Sequence, residues 1–315
     1  MAPSLLAPAG PTVLSGELLY RGKKSVVTLA SRPPGHPGGC EGGFVLKRYD
    51  SPKSANREFD IMHKHLHACS SVSVLREDRL LHDHEIAWRG EYFPSQDDGG
   101  GHPCNALMRF EPATGFFPEK ADLTDADVAR LMAPALRCVT DLHTHSRVVH
   151  CDIKPSNLVR TSDSTAVLID FDCAAVLSPG EAGRENGVAW CRRGTPLYLS
   201  PETARYGCVG RASDVWALGV MLFSCCNGVL HPFSTVVDGF RDLPLKRFVK
   251  AQQDNNYSNS MWRRDQGGST ALARDLCRLM LAEEPEERIS AAEALRHPLF
   301  SGVRGIRGTP APEKN

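Results

Sequence analysis

His150, Cys151, Asp152, Ile153, Lys154, Pro155, Ser156 and Asn157 are consecutive in this chain, and Ile169, Asp170, Phe171 and Asp172 follow a short way on. An Asp, a Lys, an Asn and a second Asp in that arrangement can hold a metal–nucleotide and take a proton from a hydroxyl. Asp152 can accept the proton of an attacking alcohol. Asn157 and Asp170 offer hard oxygens to Mg²⁺, which keeps some of its waters and takes one or two carboxylates plus phosphate oxygens. Lys154 supplies a point charge for the phosphoryl group as its negative charge redistributes. The apolar runs beside these residues, Val148-Val149, Leu158-Val159 and Val167-Leu168-Ile169, are short and β-branched, which places both motifs at strand ends.

The two motifs resemble the catalytic loop, H-R-D-x-K-x-x-N, and the metal-binding D-F-G of the eukaryotic protein kinases. Two positions depart from the pattern. Cys151 stands where that family has Arg, and Asp172 stands where it has Gly. Loss of the Arg, which in many kinases binds a phosphorylated activation-loop residue, makes control by that route less expected. Asp in place of Gly narrows the backbone angles open to the loop and adds negative charge beside Asp170.

Other segments extend the resemblance. Phe44-Val45-Leu46-Lys47 with Glu58 is similar to the V-A-I-K lysine and its helix glutamate, with Val45 at the position that roofs the adenine pocket. Aligning Val27 with the valine of the glycine-rich loop puts Tyr20, Gly22 and Ser25 at its three glycine positions, so Gly22 alone survives. Gly194-Thr195-Pro196-Leu197-Tyr198-Leu199-Ser200-Pro201-Glu202 resembles the segment that seats a peptide substrate. There the resemblance implies a buried ion pair between Glu202 and Arg288. Ala212 to Gly219 resembles the S-D-V-W helix, whose Asp214 is implied to bind the backbone of the catalytic loop. Met108 falls at the gatekeeper position, followed by a linker of Arg109, Phe110 and Glu111.

Composition narrows the class. A length of 315 residues allows one large domain or two lobes sharing a cleft. The 37 basic and 37 acidic side chains cancel, so no global field favours nucleic acid or an anionic membrane, and neither is expected as a partner. No apolar run reaches the length of a membrane span. The 11 cysteines are scattered through apolar runs without a CxxC pair, which fits reduced thiols in the cytoplasm or nucleus. His63, His65, His67 and Cys69 stand close together, but a spacing of two on a helix sends side chains to opposite faces. Solvated helix residues are the preferred reading there, and for His82 and His84.

The order of elements follows. Residues 1–15 read as a flexible leader, 16–111 as a β-rich lobe with one helix opening at Glu58, 112–301 as a mainly helical lobe, and 302–315 as a disordered tail. A helical repeat from Val128 to Leu142 leads into His150, and Val215 to Phe223 is apolar all round, as in a buried helix. Ser290 and Glu293 form a capping box that opens a helix over Ala291 to Arg296.

The resemblance therefore implies an α+β, two-lobed protein kinase fold, with a small β-rich lobe and a larger mainly α-helical lobe. It implies transfer of the γ-phosphoryl of ATP to protein Ser/Thr hydroxyls, with Asp152, Lys154, Lys47 and Glu58 as catalytic residues. Nucleotide contacts are implied for Gly22, Val27, Val45, Lys47, Met108, Phe110 and Leu158, and metal ligation for Asn157 and Asp170. ATP and Mg²⁺ are the implied cofactors, and a protein bearing a Ser/Thr acceptor is the implied partner. Lys154 with Thr195 looks like Ser/Thr rather than Tyr specificity. Two further readings stay open. One is a catalytically weak pseudokinase scaffold, favoured by the degraded glycine loop and Asp172. The other is a small-molecule kinase of the aminoglycoside or choline type, favoured by Ile169-Asp170-Phe171-Asp172 and opposed by Lys154 and the Gly194 to Glu202 segment.

Overall fold

The computed structural model describes residues 14–21, 25–31, 44–49, 52–66, 68–69, 85–89, 108–109, 123–160, 166–178, 189–190, 193–227 and 271–303. The chain divides into two compact units, residues 1–67 with 73–108, and residues 68–72 with 109–315.

The smaller unit is built on an antiparallel sheet of β1 (Leu14–Arg21), β2 (Ser25–Ser31), β3 (Phe44–Tyr49) and β4 (Glu85–Arg89), in that order. β1 includes Leu14 and Ser15, so the strand begins inside the expected leader. The register sets Lys47 between Val27 of β2 and Ile86 of β4. Alternation along β3 then brings Lys47 and Tyr49 to one face, where both are buried.

Helix α1 (Pro52–His65) packs on β3 and β4. It begins at Pro52, six residues before the expected start at Glu58. Pro52 is a favourable first residue because its missing N–H has no partner at a helix start. Lys53, Ser54, Asn56 and Arg57 carry no apolar period, so the amphipathic signal emerges only near Phe59. Glu58 sits mid-helix on the buried face with Ile61, Met62 and Leu66.

The larger unit is mainly helical. Helix α2 (Asp125–His145) starts at a capping box in which Thr124 and Asp127 satisfy each other's backbone N–H groups. The short strands β6 (Val148–Val149) and β9 (Ala175–Val176) pair antiparallel, as do β7 (Leu158–Arg160) and β8 (Ala166–Leu168). Those pairs bracket the two chemistry-bearing loops at strand ends, as the sequence implied. The two-residue strand β5 (Met108–Arg109) precedes them in the chain.

Strand β10 (Ala189–Trp190) pairs with β11 (Cys208–Val209), and between them lies helix α3 (Pro201–Tyr206). Helix α4 (Arg211–Asn227) is buried continuously from Ser213 to Cys225, which agrees with its apolar sequence. It packs on α2 and on α5 (Ala271–Met280). Gly219 lets α5 approach, since a Cβ there would lie 2.9 Å from Leu281 Cδ2 and 3.0 Å from Met280 Cβ. Helix α6 (Ala291–Ala294) has the capping box expected of Ser290 and Glu293, but it ends at Ala294, before Arg296. Leu295 to His297 instead turn the chain into a 3-10 turn, Pro298–Phe300.

Among the described residues no helix is long and apolar enough to cross a membrane. All eight described cysteines are free thiols. Burial pushes Cys138 and Cys226 up to about 12, so both thiols stay protonated; Cys138 lies in the core and Cys226 at its edge.

Candidate active site

In the smaller unit, Lys47 Nζ donates to Glu58 Oε2 at 2.8 Å. Both side chains are out of water, at 4% and 0% exposure, and each is a charge partner of the other. The pairing expected from the sequence is therefore present, with the lysine fixed by β3 and the glutamate by the middle of α1. Val27 is half-buried on β2, opposite Lys47. Val45 and Met108 occupy their strands as expected. Gly22 and Phe110 lie outside the described residues.

In the larger unit the catalytic-loop residues converge on Asp152, which is 7% exposed. Its Oδ1 accepts from the Thr195 backbone N–H and the Thr195 hydroxyl, both at 2.7 Å. Its Oδ2 accepts from Lys154 Nζ at 2.7 Å and from Asn157 Nδ2 at 3.2 Å. Lys154 also donates to the Thr195 hydroxyl at 2.9 Å. Four donors hold the carboxylate in one orientation.

Asn157 closes the loop by donating from Nδ2 to the Asp152 carbonyl at 2.9 Å. That use of the amide nitrogen leaves its oxygen for another partner. Ile169 N–H donates to the Asn157 carbonyl at 3.0 Å, which brings Asp170 beside the catalytic loop. An Asn oxygen and an Asp carboxylate so placed suit a hard divalent cation such as Mg²⁺. Leu158, 2% exposed, follows directly and opens β7.

His150 ties the two loops together. The Asp152 N–H donates to its Nδ1 at 3.3 Å, which puts the ring proton on Nε2, 2.9 Å from the Ile169 carbonyl oxygen that accepts it. Its ring meets buried Phe171 edge-on at 4.8 Å. Among the described residues two non-glycines have positive φ, Cys151 at 64° and Asp170 at 69°. Both belong to these loops, where stored strain is held by dense bonding around it.

Asp214 anchors the loop from below. This buried carboxylate accepts the His150 N–H at 2.9 Å and the Cys151 N–H at 3.0 Å, the backbone role implied for it. It also meets His143 Nε2 at 3.0 Å. Nothing in the sequence marked His143, because a histidine near the end of a polar-sided helix carries no signal of its own. The contact of Thr195 with Asp152 was equally invisible, since 43 positions separate the two residues.

The two departures now have structural settings. Cys151 packs against an apolar cluster of Ala175 and Val209, and Ala189 packs against the same cluster. An apolar contact thus occupies the place where the family's Arg would present a charge. Asp172 lies within a 3-10 turn, Phe171–Cys173. The left-handed residue of this stretch is Asp170, so Asp172 does not need the freedom of glycine.

Gly194 does need that freedom. Its φ is +107°, and a Cβ there would overlap the Cys151 carbonyl oxygen. Gly194→Ala is expected to cost about 2 kcal/mol or more, as left-handed strain and displacement of Thr195 from Asp152 add. A urea unfolding midpoint below wild type, with transfer activity lost, checks this.

Beyond the loop, Glu202 and Arg288 form the ion pair implied by the sequence, at 2.9 and 3.1 Å. Every N–H of Arg288 is used. Besides Glu202 it donates to the carbonyls of Ala282, Ala212 and Glu283 at 2.9–3.0 Å. Ser213 donates to Glu202 at 2.8 Å, and the guanidinium carbon lies 5.0 Å from the Trp216 ring centroid. Burial works to raise the Glu202 carboxyl, but the hydrogen bonds and charge of Arg288 outweigh it and hold it below its ordinary value. Tyr198, near this segment, is pushed up to about 12 by burial and by the Asp152 charge.

Residues 50–300 match the family model of the protein kinase domain, and the chain belongs to that family. Its two units are the small β-rich lobe and the larger helical lobe of the α+β kinase fold. The chain is 33% identical over 178 residues to serine/threonine-protein kinase 17A of Oryctolagus cuniculus, covering 55% of this chain and 40% of that protein. It is 32% identical over 205 residues to the liver/testis phosphorylase b kinase gamma catalytic chain of Homo sapiens, covering 63% and 46%. It is 29% identical over 296 residues to calcium-dependent protein kinase 15 of Oryza sativa subsp. japonica, covering 91% and 48%. The chain spans less than half the length of each of these relatives.

Proposed function

We propose that this chain is a Ser/Thr protein kinase that transfers the γ-phosphoryl of ATP to protein hydroxyls with Mg²⁺. The observation that carries the reading is the carboxylate of Asp152, oriented by Lys154 and Asn157 of its own loop and by Thr195 of the Gly194 to Glu202 segment. Asp152 takes the proton as the substrate oxygen forms its bond to phosphorus and the bond from phosphorus to the ADP oxygen breaks. Lys154 offsets charge on the moving phosphoryl group. Lys47, fixed by Glu58, steadies the phosphates of the nucleotide; the family resemblance assigns the other nucleotide contacts to Gly22, Val27, Val45, Met108, Phe110 and Leu158. Asn157 and Asp170 hold the cation, which neutralises phosphate charge when bound.

The Gly194 to Glu202 segment, locked to α4 and Arg288, supports a peptide substrate over a small alcohol. Free buried thiols support a cytoplasmic or nuclear setting. The test is transfer from labelled ATP to a generic basic protein, followed by phosphoamino-acid analysis. Label on Ser or Thr is expected, and none is expected on choline or an aminoglycoside. Absence of both transfer and thermal stabilisation by Mg²⁺–ATP would select the scaffold reading, which Tyr20 and Ser25 in the phosphate loop favour.

Asp172→Gly is expected to lower KM for Mg²⁺–ATP about fivefold, the equivalent of about 1 kcal/mol of removed charge repulsion. Since Asp172 carries no left-handed strain, kcat should change little. Initial rates across ATP concentrations check this split.

A further inference from the structure

Tyr49 lies two residues beyond Lys47 on β3, on the same face of the strand. The Lys47 ammonium sits 4.7 Å from the centroid of the Tyr49 ring, well within reach of the negative face of the aromatic system. Tyr49 is 4% exposed, Lys47 is 3% and Glu58 is fully buried. A cation so far from water gains more from a π face than an exposed one does.

The Tyr49 hydroxyl, in contrast, is buried without a hydrogen-bond partner among the described residues. A hydroxyl left so costs stability. The part of the side chain that acts at this position is therefore the ring.

We propose that Tyr49 is a positioning residue for Lys47, its ring face holding the ammonium charged and aligned with Glu58. This rests on the reading that Lys47 serves the nucleotide phosphates. Glu58 supplies the charge partner from α1, and Tyr49 closes a second side from β3 itself. Both contacts are internal to the smaller unit, so the lysine is set before a nucleotide arrives. The arrangement matters more here because Tyr20 and Ser25 replace two glycines of the phosphate loop, which leaves Lys47 a larger share of phosphate binding.

Trace acetylation of the full chain with acetic anhydride, read by peptide mass spectrometry, tests the proposal. Lys64, an exposed residue paired with Asp60, serves as the internal standard. Tyr49→Phe keeps the ring and should acetylate Lys47 at the wild-type rate, with an unchanged or raised melting temperature. Tyr49→Leu removes the π face and should acetylate Lys47 about 2–5-fold faster, as more of the amine is unprotonated. Difluorinated phenylalanine at position 49 keeps the shape while draining charge from the ring face, so it should also label faster. That substitution decides the matter if Tyr49→Leu unfolds or merely opens the core. Wild-type labelling with the difluorinated ring would overturn the proposal and leave Tyr49 as a space-filling core residue. Acetylation needs no turnover, so a failed kinase reading shows separately, as absence of Lys47 protection by Mg²⁺–ATP.

Discussion

Asp152→Asn is expected to reduce phosphoryl transfer about 10²–10⁴-fold, the usual contribution of a positioned general base. The substitution is not structurally silent. Asp152 accepts from the Thr195 N–H, the Thr195 hydroxyl, Lys154 and Asn157. An asparagine can present one oxygen to one pair of donors, and its NH₂ then faces the other pair. That conflict should cost about 1–3 kcal/mol of stability, the range for a buried polar group left without a partner. Initial rates should therefore be measured below the unfolding transition, beside circular dichroism of both proteins. A folded variant with wild-type transfer would remove Asp152 from the mechanism.

Arg288→Leu should be the most destabilising single change in the larger unit. It strands Glu202 in a site where both oxygens lose their charged donor, with Ser213 still bonding Oε1, and three backbone carbonyls lose a donor. Breaking a buried pair from one side costs about 3–5 kcal/mol, or a fall in Tm on the order of 10 °C in a chain of this size. Arg288→Lys should lose part of this, because an ammonium cannot reproduce five N–H donors in a planar fork.

The pH dependence gives a sign that a packing defect would not. In the native protein Glu202 lies below its ordinary value of 4.5, so its contribution is fully present above that value. It is lost as pH falls through the depressed native value. Without Arg288 its hydrogen bonds and charge are gone, and burial, the largest influence and one that raises the carboxyl, is opposed only by the weaker hydrogen bonds of Ser200 and the backbone. The penalty of the variant should then shrink as acid protonates Glu202. Thermal melts of both proteins at neutral pH and near pH 5 measure this, and a constant gap would argue for lost packing alone. Glu202→Gln with Arg288→Leu should recover part of the stability, since the stranded charge is gone.

How much was legible in advance varied with the range of each interaction. The β3 lysine, the buried α4 and the capping box at Ser290 could be read because a period or a local bond fixed them within a few residues. Helix α1 was begun too late because its first two turns lack an apolar face. The helix after Ser290 was carried too far because Leu295 and Arg296 are ordinary helix formers with no local stop before Pro298. Pairings across long stretches, such as Glu202 with Arg288, were reached only through family resemblance. Contacts that the resemblance did not supply, such as His143 with Asp214 and the ring of Tyr49 over Lys47, were missed.

By itself the sequence determined which groups are available: carboxylates at Asp152 and Asp170, an amide at Asn157, and an unusual Cys151 and Asp172. Residue type fixes charge, donor number and pattern, and none of these requires a third dimension. Tertiary structure decided how the groups are used. It joined Thr195 to Asp152, gave Cys151 and Asp170 their left-handed backbone, and set Cys151 into an apolar cluster. It also placed the left-handed backbone at Asp170 and not at Asp172, so that departure from glycine needs no positive φ. Such outcomes depend on which distant segments pack side by side, and a hydrogen bond of about 3 Å has no counterpart in sequence distance.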